Sequence, residues 1–135
     1  YYFVDLGMRN YAHGAFGRLE NSPDLGFVFE NFVYNLLRGQ FVQEPAEIKF
    51  WRSKDKAEVD FVLDVGQTLL PVEAKYKKLK TGEVSRSLRS FLAKYQPESA
   101  EIVNLSFHAE EAAANTRINF RPYYDILGWD VEKSV

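Results

Sequence analysis

The sequence predicts an α/β domain built on a mixed β-sheet, an antiparallel meander plus a parallel strand, flanked by helices. Three observations carry that expectation. Two strand-like runs, VDFVLD and LLPVEAKY, flank a short turn containing Gly66. Apolar residues recur at three- and four-residue spacing from Leu25 to Leu37. A second helical pattern then leads to a further strand-like run, EIVNLSF from Glu101 to Phe107, and a strand–helix–strand succession of this kind closes as a parallel pair with a right-handed crossover. The 135 residues suit one domain, and a chain of this length buries roughly 70% of its extended surface.

In chain order, Tyr1 to Asp5 opens as an apolar strand, after which Gly7, Gly14 and Gly17 leave room only for a short helix around Met8 to Ala12 and a loop. Ser22-Pro23-Asp24 starts the strongest helix, with serine as N-cap and proline in the first turn. Its apolar stripe is Leu25, Val28, Phe29, Phe32, Val33, Leu36 and Leu37, and Gly39 ends it. Glu30 falls at the border of that stripe, about 120° from its centre, where a side chain can reach over a sheet edge. Ile48 to Arg52 reads as the first strand of the meander, with Trp51 as packing on the sheet rather than a platform for a base. Pro71 suits the beginning of its strand or a non-bonded position. Thr81-Gly82-Glu83 opens a second helix with Val84, Leu88, Phe91, Leu92 and Tyr95 on its buried face and Pro97 closing it. Ile118 to Phe120 suggests a last strand, and Pro122 to Trp129 an aromatic-rich edge or docking segment.

The hairpin carries the chemistry. With Val65-Gly66-Gln67-Thr68 as a four-residue loop, Asp64 stands opposite Leu69, Leu63 opposite Leu70, Phe61 opposite Val72 and Val59 opposite Ala74, all on one apolar face from Leu63 onward. The other face sets Asp60 opposite Glu73 and Glu58 opposite Lys75, and a one-residue slip would drive these charges into the core. Two carboxylates about 5 Å apart repel by roughly 3 kcal/mol at an effective dielectric near 20. A shared proton offsets this by raising one pKa. A hard cation does it better, since Mg²⁺ is held by one or two carboxylates together with phosphate oxygens. Lys75 then points to the same place, able to hold a water or to offset charge developing on phosphorus oxygens. The alternative for the same residues is a solvated face with cross-strand ion pairs, each worth little.

Composition narrows the classes. Hydrophobic residues at 46% and aromatics at 16% exclude a disordered tail, and no apolar run reaches the ~20 residues that span a bilayer. Without cysteine there are no disulfides or thiolate metal sites, and without an export signal the expected compartment is the cytoplasm. The net charge of −2 argues against a generically basic nucleic-acid binder. From Lys49 to Lys94, however, eleven Lys and Arg meet six acids, an excess of +5 that travels with the hairpin and could track phosphates locally. His13 and His108 form no metal-ligand spacing, and no phosphate-binding glycine loop occurs, so ATP binding by this chain is not expected.

Glu30 on a helix, then Asp60, then Glu73-Ala74-Lys75 resemble the PD-(D/E)xK nuclease superfamily, with its restriction-endonuclease-like fold. The phrases YYFVDLGMRN, FVFENFVYNLL, WRSKDKAEVDFVL and PVEAKYK resemble more closely the C-terminal domain found behind the ATPase module of many prokaryotic AAA+-type proteins, over Tyr1 to about Phe107. Ala57 stands where the superfamily pattern often has proline. The resemblance implies a single domain over residues 1–135, the C-terminal piece of a longer ATPase-containing protein. It implies Mg²⁺ or Mn²⁺ held by Asp60, Glu73 and the Ala74 carbonyl, with Lys75 positioning or activating water. Glu30 would help through a second metal or a bound water. The implied substrate is a nucleic-acid phosphodiester, DNA ahead of RNA. Arg89 or Gln96, on one flank of the second helix, would approach the site or simply face solvent. The alternative function is a catalytically inactive module of the same fold that binds partners or nucleic acid and regulates the ATPase.

Overall fold

The computed structural model describes residues 1–17, 22–40, 47–65 and 68–129. Its elements are α1 (Leu6–Ala12), α2 (Leu25–Gln40), β1 (Glu47–Arg52), β2 (Glu58–Val65), β3 (Thr68–Ala74), α3 (Arg86–Tyr95), β4 (Ser99–Asn104), β5 (Ala109–Ala113) and β6 (Thr116–Pro122), followed by a 3₁₀ segment, Tyr123–Gly128. The six strands form one mixed sheet in the order β1-β2-β3-β4-β6-β5. β1, β2 and β3 are an antiparallel meander, β3 and β4 are parallel, β4 and β6 are parallel, and β5 closes an antiparallel hairpin with β6.

Each face of the sheet has its own apolar layer. Phe29, Val33 and Leu37 of α2, with Ile126 and Trp129, cover Phe61, Leu63, Leu70, Val72 and Val103. Leu88, Phe91 and Leu92 of α3 cover Val59, Val62, Ala100, Ile102, Ile118 and Phe120 on the other side. The helices thus flank the sheet as the strand–helix–strand pattern requires, and β3 lies centrally. Pro71 sits opposite Val62 and precedes the stretch of β3 that pairs with β4, which begins at Val72.

Several local expectations give way to tertiary context. Tyr1 to Asp5 forms no strand; its backbone is taken up by side chains of α2, Asn31 bonding both the N–H and the carbonyl of Phe3. Residues 81–85 are loop, and α3 starts only after Ser85, whose hydroxyl accepts the Leu88 N–H at 3.0 Å. Tyr95 is partly exposed rather than buried, though its hydroxyl accepts from the Trp51 indole at 3.1 Å. Trp51 packs edge-on against Phe91, a packing role as the sequence indicates. Tyr123 to Trp129 is no edge segment, since Ile126 and Trp129 are core residues. Residues 66 and 67, the centre of the expected hairpin loop, and residues 130–135 lie outside the described residues.

Candidate functional site

The site begins where β2 and β3 part. Their ladder has the expected register, Asp64 opposite Leu69, Leu63 opposite Leu70 and Phe61 opposite Val72, and it stops there. Beyond that pair the Ala74 N–H donates to Asp60 Oδ2 at 2.8 Å, so a side chain replaces the main-chain partner. The far edge of β3 stays paired, with the Lys75 N–H donating to the Val103 carbonyl at 2.8 Å. The strand pair is therefore forked, and Asp60 occupies the crotch.

A β-bulge on the other edge of β2 contributes. Lys49 faces Val62 and Trp51 faces Val59, which leaves Phe50 alone against Asp60 and Phe61. The extra residue breaks the alternation of faces. Phe61 and Leu63 belong to the α2 layer, but Val59 belongs to the α3 layer, against the expectation of one continuous apolar face from Leu63 to Val59. Glu58 does not pair with Lys75 either: it lies exposed and accepts two hydrogen bonds from Arg52, at 2.6 and 3.1 Å.

Carboxylates crowd Asp60. Burial pushes its pKa up to about 7, against the pull of the Ala74 N–H, and the charges of Glu30, Glu73 and Glu58 push in the same direction as burial. Glu30, on α2, accepts the Tyr2 hydroxyl at 2.5 Å through Oε1. Glu73 is mostly buried; its Oε2 is sealed from solvent and makes no hydrogen bond. The nearest cation to that oxygen is Lys75 Nζ at 3.5 Å, within ion-pair range but not aligned as a hydrogen bond. Lys75 is itself held from the loop before α3, donating to the Glu83 carbonyl at 2.7 Å. Glu83 is fixed in turn by two contacts from Lys77 Nζ, at 2.7 and 2.9 Å. The structure thus gathers Glu30, Asp60, Glu73 and Lys75 about one fork, and leaves Arg89 and Gln96 exposed on α3 and its cap.

Asp60, Glu73 and the Ala74 carbonyl are a donor set that could take a hard divalent cation of the kind that keeps several waters. Its carboxylates are a buried Glu73 oxygen without a hydrogen bond and an Asp60 whose charge is disfavoured by burial and by neighbouring acids. It does not fit an all-protein cage: among the described residues no three His, Cys, Asp or Glu side chains are arranged to hold a metal ion together. Asp60 and Glu73, with the Ala74 carbonyl, make a two-carboxylate site at most.

Two buried polar arrangements, one at the site and one on β4, leave little trace in the sequence. Tyr2 reads as part of an opening strand, whereas it is the hydrogen-bond donor to Glu30. Glu101 reads as a strand's leading residue, whereas it is fully buried on β4 and accepts from Asn119 Nδ2 at 2.8 Å and Arg121 Nε at 3.1 Å. Burial raises the Glu101 pKa while Arg121 opposes the shift.

Comparison with known proteins follows this geometry. A family model described as "Domain of unknown function (DUF4143)" matches residues 25–123, from the start of α2 through the last strand. No curated protein matches the chain significantly. Among solved structures, a chain from the refined half-complex of the tetradecameric assembly of Thermococcus gammatolerans McrB AAA+ hexamers with bound McrC is similar, with a TM-score of 0.59 and 17% identity. The match covers 73% of this chain and 28% of that one, and at this identity it is a likeness of fold alone. No helix among the described residues is long and apolar enough to cross a membrane.

Proposed function

The chain belongs to the DUF4143 family, and from that footing we propose that the fork between β2 and β3 is a metal-dependent phosphodiesterase site on a PD-(D/E)xK, restriction-endonuclease-like fold. The observation that carries the proposal is the Glu73 Oε2 atom, buried without a hydrogen bond next to an Asp60 whose charge is already disfavoured. In a purely structural ion cluster that oxygen would accept a hydrogen bond in addition to its 3.5 Å ion pair with Lys75. Asp60, Glu73 and the Ala74 carbonyl would hold Mg²⁺ or Mn²⁺, which when bound supplies Lewis acidity and a more acidic water. Lys75, tethered by the Glu83 carbonyl, positions a water at the edge of the fork and offsets charge developing on the phosphoryl oxygens. Glu30 orients a bound water or a second ion. The fit of a fork that opens beside a basic loop, Lys75 to Lys80, is to a nucleic-acid backbone, DNA ahead of RNA.

A second reading is favoured by one observation. Lys75 is committed to the Glu83 carbonyl and Glu73 together, which would suit a module that keeps the fold, has lost the chemistry and docks onto or regulates an attached AAA+-type ATPase. The likeness to a chain from an AAA+ assembly is in keeping with such an attachment in either reading. The discriminating experiment is cleavage of labelled DNA and RNA, single-stranded, duplex and branched, with Mg²⁺ or Mn²⁺. Activity abolished by Asp60→Asn, Glu73→Gln and Lys75→Met supports the nuclease. Activity indifferent to all three, or absent in the wild type on every substrate, supports the module.

A further inference from the structure

We propose that Tyr2 is a positioning residue of this site, its hydroxyl steering the Glu30 carboxylate toward Asp60, and that the buried amide of Asn31 holds Tyr2 in place. The inference rests on the metal-site reading above and adds to it a residue from outside the fork.

The N-terminal segment has no strand partner, yet it is anchored at both backbone groups of Phe3. Asn31, fully buried on α2, accepts the Phe3 N–H at 2.8 Å and donates to the Phe3 carbonyl at 2.7 Å. Asn35, one helical turn on, donates to the carbonyls of Phe3 at 3.0 Å and Val4 at 3.1 Å. A buried asparagine that bonds a neighbouring backbone through both its oxygen and its nitrogen fixes that backbone, because releasing it would strand polar groups away from water. The adjacent Tyr2 ring is fixed as well. It stacks on Tyr34, with centroids 4.6 Å apart and planes 19° apart, and leans on Phe61 at 5.6 Å. Phe61 directly follows Asp60, so the ring that carries the hydroxyl is packed against the strand that carries the acid.

What the hydroxyl does follows from its single proton. Donating it to Glu30 Oε1 at 2.5 Å takes up one lone pair of that oxygen and fixes the direction of the carboxylate, whose remaining lone pairs are left for the bound water or second ion proposed above. Left alone, the Glu30 side chain would turn from the other carboxylates around Asp60, since like charges repel. The Tyr2 bond holds it against that tendency. Carboxylates that serve metal sites are usually oriented by such outer partners, and losing one typically costs about tenfold or more in affinity.

The test is Mn²⁺ titration of the whole chain, followed by calorimetry and by the electron paramagnetic resonance of free Mn²⁺. The proteins compared are wild type, Tyr2→Phe, Glu30→Gln, the double variant and Tyr34→Phe. Tyr2→Phe keeps the stacked ring and deletes only the donor; Tyr34→Phe alters the same stack without touching Glu30. Expected is an affinity for Mn²⁺ about tenfold weaker in Tyr2→Phe, a double variant no weaker than Glu30→Gln, and Tyr34→Phe equal to wild type. Wild-type affinity in Tyr2→Phe, or losses that add in full in the double variant, overturns the positioning role while leaving the site intact. A wild type that binds no Mn²⁺ overturns the metal reading and this inference with it. Equal weakening by Tyr2→Phe and Tyr34→Phe would assign the effect to the aromatic stack and overturn the role of the hydroxyl.

Discussion

Replacing Asp60 by Asn removes a charge that the folded protein disfavours, and its effect on stability has a definite dependence on pH. Burial pushes the carboxyl pKa up to about 7 in the fold, against 3.8 for a free aspartate. Because the folded pKa is the higher one, the folded state binds more protons than the unfolded state between these values. The side chain's contribution to stability is then fully present below about pH 4 and is lost as pH rises through about 7. Roughly three pKa units at about 1.4 kcal/mol each amount to about 4 kcal/mol over the whole window, of which about 3 kcal/mol falls between pH 5 and pH 8. Asparagine cannot ionise and can still accept the Ala74 N–H. Any constant difference between the two side chains cancels when the two pH values are compared. The assay is urea denaturation of both proteins in EDTA at pH 5 and pH 8. The stability difference, variant minus wild type, should rise by about 2 to 3 kcal/mol toward the higher pH. A difference that stays constant within ~0.5 kcal/mol, or that falls with pH, refutes the account of Asp60 as a destabilised carboxylate.

Other perturbations test neighbouring parts of the structure. Arg121→Ala removes both guanidinium contacts from the fully buried Glu101 carboxylate. It should destabilise the protein by about 3 to 5 kcal/mol in denaturant titration at neutral pH, with a smaller loss in acid, where Glu101 can protonate. Ser85→Ala removes the N-cap of α3 and should cost about 1 kcal/mol, visible as a shifted midpoint with unchanged slope. Leu88→Ala, at the centre of the α3 layer, should cost about 2 to 5 kcal/mol by the same measurement.

How much of this was legible in the sequence depends on which physical signal each element leaves. The β2–β3 register follows from alternation, because a slip would bury Asp64 and expose Leu63 and Leu70. The parallel β3–β4 pair follows from the helix between them. The face of Val59 does not follow, since a bulge changes the parity of a strand without any mark in its hydrophobic pattern. β5, with the sequence AEEAA, has the composition of a helix. It is a strand because it pairs with β6 through a two-residue turn at Ala114 and Asn115, with Ala114 at a φ of 54°, so tertiary pairing overrides propensity. For the candidate site, Asp60, Glu73 and Lys75 were visible as charges inside apolar strands. Glu30 was visible as an acid bordering an apolar stripe, and its place near Asp60 came with the family resemblance. Tyr2 was not visible, because a segment held by the side chains of Asn31 and Asn35 carries no periodic signal of its own.

The central claim, that the fork exists to hold a divalent cation, is tested most directly by the Mn²⁺ dependence of the melting temperature in wild type, Asp60→Asn and Glu73→Gln. A ligand that binds only the folded state stabilises it by RT ln(1 + [L]/Kd), about 2.7 kcal/mol at a hundred times Kd. The account predicts a wild-type melting temperature that climbs with Mn²⁺ over EDTA, and two variants whose melting temperatures do not respond. A wild type indifferent to millimolar Mn²⁺, or a Glu73→Gln variant that is stabilised as strongly as the wild type, would contradict it.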